Sequence, residues 1–339
     1  MKMTYRTRRN LRRLGLAALV LLIVAVVAWM CWVIWLERFV VYSGDGAKLD
    51  FDRGAYFPEG EIAVPPETKA PISIYYNEGE NAVTISKDLQ QLSGYYITGE
   101  ALKDIPAVRE QLALLKSDAP VMVDVKNARG AFYYSTGVGT LTASEPAATD
   151  VDKLIADLKR SEHYLIARLP AMRDREYGLN NVNCGLFAPS RYSLWMDEGG
   201  CYWLDPSASG TMTYLTGIVQ ELKDLGFDEV VFTDFYFPDS TGYIFDGDKS
   251  EALSEAAQSL VTACTTETFA LSFVQGRTDF TLPQGRSRVY VEAADASKAA
   301  SVAAETGLEN PAVNLVFITD SFDTRFDEYG TLRPIENVR

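Results

Sequence analysis

Five carboxylates stand at or just past the ends of apolar, β-prone runs: Glu100, Asp124, Asp234, Glu292 and Asp320. Two cations share such positions, since Arg168 lies at the end of the run 164–169 and Lys126 follows Asp124 by two residues. In a parallel α/β sheet, ligands sit at the C-terminal ends of the strands, so these side chains would meet in one cleft. Two carboxyl groups facing each other across a cleft are the minimal apparatus for cutting a glycosidic bond, one as acid and one as base or nucleophile. On that chemistry Asp124, Asp234 and Glu292 are the expected acid, base or nucleophile. Arg168 would orient them, and Glu100, Lys126 and Asp320 would bind substrate. Each acid also has a structural alternative, because carboxylates at strand ends often cap the next helix.

Aromatic residues crowd the same region: Tyr192, Trp195, Tyr202, Trp203, Phe235, Tyr236 and Phe237 lie in or beside the expected top loops. Flat rings can stack on sugar faces, which places Trp203 and Tyr236, with the neighbouring Asp205, among the expected substrate contacts. The alternative is that such rings cover the rim of the core. The single histidine, His163, excludes a multi-histidine metal site and leaves only one possible histidine base. No cofactor and no metal are expected. Of four cysteines, Cys184 and Cys201 flank a long loop and are expected to form a disulfide, whereas Cys264 reads as a buried thiol.

The elements that must position these groups follow from periodicity. Short apolar runs at 95–97, 121–125, 164–169, 229–232, 269–274, 288–292 and 313–319 read as strands. Between them Ile105, Val108, Leu112 and Leu115 step by three or four, as do Val151, Leu154, Ile155 and Leu158, and Met212, Leu215, Val219 and Leu222. Those are amphipathic helices, the third ending at Gly226. Ser250 and Asp295 are expected N-caps. The alternation predicts an α/β fold of the (β/α)8 TIM-barrel type, incomplete if only seven strands are counted. A doubly wound open sheet is the alternative, but Thr98-Gly-Glu-Ala after the first strand is a poor match to a nucleotide-binding turn.

Residues 14–36 contain no charged side chain, and six basic residues precede them. This reads as a transmembrane helix with a cytoplasmic basic tail, 1–13, and the remainder outside the cytoplasm. Residues 37–71, rich in Gly, Pro and acidic side chains, read as a linker. Residues 72–339 form the barrel domain, opening with a hairpin of 72–76 and 82–86. The net charge is −14, and because all six charges of the first thirteen residues are positive, residues 14–339 carry −20. So acidic a domain repels phosphate backbones, which excludes nucleic acid as a partner and leaves neutral or cationic ligands. Oligomeric state has no signature here.

Four motifs occur in order: Val123-Asp-Val-Lys126 with Gly130, Ile166-Ala-Arg168, Trp203-Leu-Asp-Pro206, and Gly226-Phe-Asp-Glu229 running to Phe237-Pro238. The series resembles a bacterial family of glycoside-hydrolase-like proteins with TIM-barrel folds, often secreted or membrane-anchored, over roughly residues 94–334. The resemblance implies action on, or binding of, envelope or environmental glycans at the cell membrane. The family usually places an Asp where Thr233 stands and an Arg where Tyr236 stands. Asp234 replaces that Asp only if the strand end shifts by one residue, which otherwise turns a side chain to the opposite face. A catalytically degenerate barrel that binds carbohydrate, or serves as a structural interaction module, is therefore the alternative.

Overall fold

The structure is a computed structural model that describes residues 22, 25–26, 28–30, 32, 40–43, 46–49, 89–116, 118–275, 280–293 and 295–337. The chain divides into two compact units, Met1–Gly79 and Glu80–Arg339. In the first, Val40–Ser43 and Gly46–Leu49 pair antiparallel within the stretch read as a linker. Among the described residues no helix is long and apolar enough to cross a membrane. Most of the expected span 14–36, Cys31 and the expected hairpin at 72–76 and 82–86 lie outside the described residues.

The second unit is a closed barrel of eight parallel strands. They are β1 (Ser93–Ile97), β2 (Val121–Asp124), β3 (Leu165–Pro170), β4 (Glu229–Thr233), β5 (Ala270–Val274), β6 (Val289–Glu292), β7 (Leu315–Ile318) and β8 (Gly330–Pro334), and β8 pairs with both β7 and β1 to close the ring. The fold expectation holds, and the ring is complete. The eighth strand escapes a pattern search because Gly330-Thr-Leu-Arg-Pro334 offers one large apolar side chain and ends in proline. A doubly wound open sheet is excluded by closure.

Helices dress the outside. They are α1 (Ile105–Leu112), α2 (Ala148–Arg160), α3 (Arg175–Asn180), α4 (Ser209–Leu225), α5 (Lys249–Cys264), α6 (Ala299–Glu305) and α7 (Pro311–Asn314). The periodic residues behave as their spacing requires, with Val151, Leu154, Ile155 and Leu158 all buried on α2. Asp248, not Ser250, caps α5 by accepting from the Glu251 N–H at 2.9 Å, whereas Asp295 does cap the turn before α6. The run expected as a strand at 313–319 begins as helix α7, because Pro311 seeds a helical turn. Among the described residues no helix lies between β5 and β6, and the β5–β6 pairing registers only Phe273↔Val289 and Val274↔Tyr290, against five pairs between β3 and β4.

Gly226 ends α4 with φ +95°, and its N–H returns to Lys223 and Leu222 carbonyls. A left-handed C-cap costs any L side chain strain, and an added Cβ there would also press on Lys159. Gly226→Ala is expected to lower stability by about 1 kcal/mol, readable as a melting shift of a few degrees at most.

Side chains fill the barrel in layers. Met122, Ile166, Val231, Tyr290, Val316 and Leu332 point inward with Tyr96 and Tyr164 packed against them. The N-terminal end is closed by charge: Glu229, fully buried at the start of β4, takes bonds from Arg288, from Ser272 Oγ at 2.5 Å, and from the Tyr164 and Tyr290 hydroxyls at 3.0 Å each. Arg288 also donates to the Val313 and Gln90 carbonyls.

Candidate active site

Asp124 is the last residue of β2, Thr233 of β4 and Glu292 of β6, while Arg168 lies two residues before the end of β3. Because all eight strands run the same way, these residues rise to one rim. Asp124 and Arg168 are register partners, and the Arg168 guanidinium bridges two acids: Nη1 donates to Asp124 Oδ1 at 3.2 Å and Nη2 to Glu292 Oε1 at 2.5 Å. The second Asp124 oxygen accepts the Gly99 N–H at 2.9 Å. Burial pushes the Asp124 pKa above the ordinary carboxylate value, against the pull of Arg168 and the Gly99 amide.

Asp234 follows the last strand residue with φ +51°, in the left-handed region. That twist resolves the parity conflict read from the sequence. Thr233 and Asp234 are consecutive, yet both line one cleft of about 300 Å³ with Thr98, Asp124, Arg168 and Tyr133. A strand continuing regularly would have sent one of them outward. Asp tolerates a positive φ better than most residues, though at some cost. Burial raises the Asp234 pKa, opposed first by the charge of Arg173 and then by the Tyr236 hydroxyl, which donates to Oδ1 at 3.3 Å.

The other expected contacts divide. Glu100 lines the cleft, but it is exposed and pairs with Lys103 at 2.6 Å. Lys126 also reaches the cleft wall, yet its ammonium is buried in an ion pair with Asp174 at 2.6 Å, set between the Phe132 and Tyr214 rings. It is committed to holding the loop after β3, not to a ligand. The nearby Gly130 has φ +85°, and a Cβ there would meet Asp174 and Glu176, so this motif glycine serves the same joint. Trp203 is buried, donates its indole N–H to Asp197 Oδ2 at 3.0 Å and packs 5.1 Å from the Tyr236 ring centre, so it is not an open sugar platform. Asp205 is not among the residues that line the cleft, and it accepts the Ser207 N–H at 2.8 Å, just ahead of α4. Asp320 is exposed past β7 and is not part of the cleft lining.

Cys184 and Cys201 are free and buried, which corrects the expected disulfide. Cys184 sits under Gly210 and Tyr177, while Cys201 Sγ approaches the Gly199 carbonyl. The loop needs no crosslink because its backbone pairs with itself, at Gly185↔Leu204, Phe187↔Leu194 and Met196↔Tyr202. Among the described residues no group of three or more His, Cys, Asp or Glu could hold a metal ion.

Sequence reasoning missed Tyr96, Gly99 and the Arg173–Asp197 pair. Tyr96 faces the barrel interior, where burial raises its pKa and the charges of Arg168 and Glu292 reach it. Strand alternation carried through from Gly94 to Thr98 would have found it. Arg173 and Asp197, joined at 2.6 Å, come from the irregular loop and leave no periodic signal.

Residues 94–271 match the family model described as "Putative glycosyl hydrolase domain". No curated protein matches the chain. Among solved structures, a hypothetical protein from Ruminiclostridium thermocellum ATCC 27405 is 22% identical, with a TM-score of 0.46 over 53% of this chain and 96% of that one. A GH36 α-galactosidase from Geobacillus stearothermophilus, solved with raffinose, is 9% identical, with a TM-score of 0.50 over 75% of this chain and 40% of that one. A family 20 β-N-acetylglucosaminidase is 9% identical, with a TM-score of 0.45 over 69% and 53%. The chain thus spans about half or less of both enzymes, and its likeness to the α-galactosidase is one of fold. The family match covers more than half of the chain, and the protein belongs to the glycosyl-hydrolase-domain family that this model describes.

Proposed function

We propose that the barrel binds a glycan at its C-terminal mouth and hydrolyses it with paired carboxylates. The observation that carries this reading is the convergence of Asp124, Asp234 and Arg168 on one cleft, with Glu292 held on the same guanidinium. Asp234 is the proton donor, because burial favours its protonated form and, among the described residues, it has no ion pair such as the one that ties Asp124 to Arg168. Asp124, fixed by Arg168 and the Gly99 amide, is the base or nucleophile, and Glu292 balances Arg168 across the mouth. Tyr236 aims the Asp234 carboxyl.

A binding-only role is favoured by one observation: the last inward position of β4 is Thr233, which cannot ionise, so β4 brings an acid to the cleft only through the twist at Asp234. Incubating the full-length protein in detergent with envelope and plant glycans, and scoring both release and retention, separates the two. Release that is lost in Asp124→Asn and Asp234→Asn with retention intact supports hydrolysis. Retention without release by the unaltered protein supports binding.

We also propose that residues 14–36 anchor the protein, with the barrel outside the cytoplasm. The uncharged run, the six preceding basic residues, and Trp29, Trp32 and Trp35 at its far end support this. Membrane fractionation followed by protease treatment of intact cells tests it, and a barrel that remains protease-protected refutes the orientation.

A further inference from the structure

We propose that Arg173 is a positioning residue for Asp234: its guanidinium, carried in by the loop after β3 and clamped by Asp197, is the cation through which that loop acts on the Asp234 carboxyl. The inference deepens the reading of Asp234 as proton donor and rests on it.

The placement is built from several directions. Met172, immediately before Arg173, donates its N–H to the Asp234 carbonyl at 3.4 Å, and Ala171 donates to Thr233 at 2.9 Å, so the start of the loop is stitched to the end of β4. Arg173 then pairs in backbone fashion with Trp203, whose ring packs on Tyr236, the residue that bonds Asp234. Arg173 Nε is held by Asp197 Oδ2 at 2.6 Å, and Asp197 is itself fixed by the Cys201 N–H and the Trp203 indole. Burial acts to raise the Asp197 pKa, but those three donors outweigh it and keep the carboxylate ionised below the usual range. Gly199 leaves the space the guanidinium needs, since a Cβ there would fall 2.3 Å from Nη2.

The charged and titratable groups around Asp234 are Arg173 from the loop, itself held by Asp197, Tyr236 beyond β4, Arg168 on β3, Asp124 and Lys126 from the end of β2, and Glu100 and Tyr133, which line the same cleft. Arg168 is engaged by two carboxylates and Lys126 by Asp174. Arg173 exerts the largest opposing pull on the burial that raises Asp234. Its removal therefore lets Asp234 keep its proton to higher pH.

The test compares melting temperatures from pH 4 to 9 for full-length protein with and without Asp234→Asn, in Arg173, Arg173→Gln and Arg173→Lys backgrounds. The gain conferred by Asp234→Asn is expected to be larger at alkaline pH, and to keep growing to higher pH, in the Arg173→Gln background than in the other two. Coincident curves in the Arg173 and Arg173→Gln backgrounds overturn the proposal. Where a glycan is released, the basic limb of the pH–rate profile should move upward in Arg173→Gln and return in Arg173→Lys. An unmoved limb likewise overturns it. Displaced melting curves without release by any variant support the electrostatic role of Arg173 and reject the hydrolytic reading instead.

Discussion

Asp234→Asn is expected to cut glycan release by about 10²–10⁴-fold, the usual worth of a positioned acid or base, while making the protein more heat-stable at pH 7. The two effects share one origin. Asparagine tolerates the left-handed backbone at 234 as aspartate does, so geometry is kept and only the ionisable proton is lost. The folded-state pKa of Asp234 lies above its unfolded value because burial disfavours the charge. Below the unfolded value both states are protonated and the group is neutral to stability. As pH rises through the window between the two values the unfolded chain releases its proton first, so stability falls and stays lower above it. Asn escapes that loss. Release assays paired with melting curves at pH 4 and pH 7 check the result, and a variant that is inactive yet less stable at pH 7 would show that the carboxylate acts structurally.

Glu229→Gln should cost more stability than any single change in the cleft, roughly 3–5 kcal/mol, the range for breaking a buried ion pair on one side. Gln preserves the shape of the side chain but leaves the buried Arg288 guanidinium without a counter-charge, and strips charge from the bonds donated by Ser272, Tyr164 and Tyr290. Replacing both partners, as Glu229→Leu with Arg288→Met, should recover part of that loss, since no lone charge remains to be desolvated. Urea denaturation of the two variants against the parent measures the difference. Glycan retention by the folded fraction should be unchanged, because this network closes the opposite end of the barrel from Asp124 and Asp234.

Most of the architecture was legible because parallel strands buried on both faces are written as apolar runs, and surface helices as a step of three or four. Val121–Asp124 and the α2 stripe are plain in the chain. The convergence of Asp124, Arg168 and Glu292 was legible for a geometric reason, as parallel strands deliver their last residues to a common rim. What escaped depends on chain reversals that leave no period. The twist at Asp234, the burial of Lys126 against Asp174 and the self-pairing of the loop around Cys184 and Cys201 are all set by contacts between segments far apart in sequence. Trp203 was read as a sugar platform for the same cause: a loop rich in aromatics reads as a binding surface until its fold shows this ring buried against Tyr236 and bonded to Asp197.

The ring of strands has a weak joint. Between β5 and β6 the ladder registers two pairs, and among the described residues no helix lies in the connection, where Phe280 packs on Phe273 instead. Proteins open sub-globally where few apolar contacts and short ladders give the least resistance. This barrel should therefore breathe like a clasped bracelet, parting at the β5–β6 edge while the strongly paired arc from β2 to β5 stays shut. Asp124, Arg168 and Asp234 all ride on that arc, so their mutual geometry survives an opening. Glu292 sits on the far side of the clasp, joined to the others by the Arg168 guanidinium as well as by the sheet. That one bond makes the mouth of the barrel its own fastener.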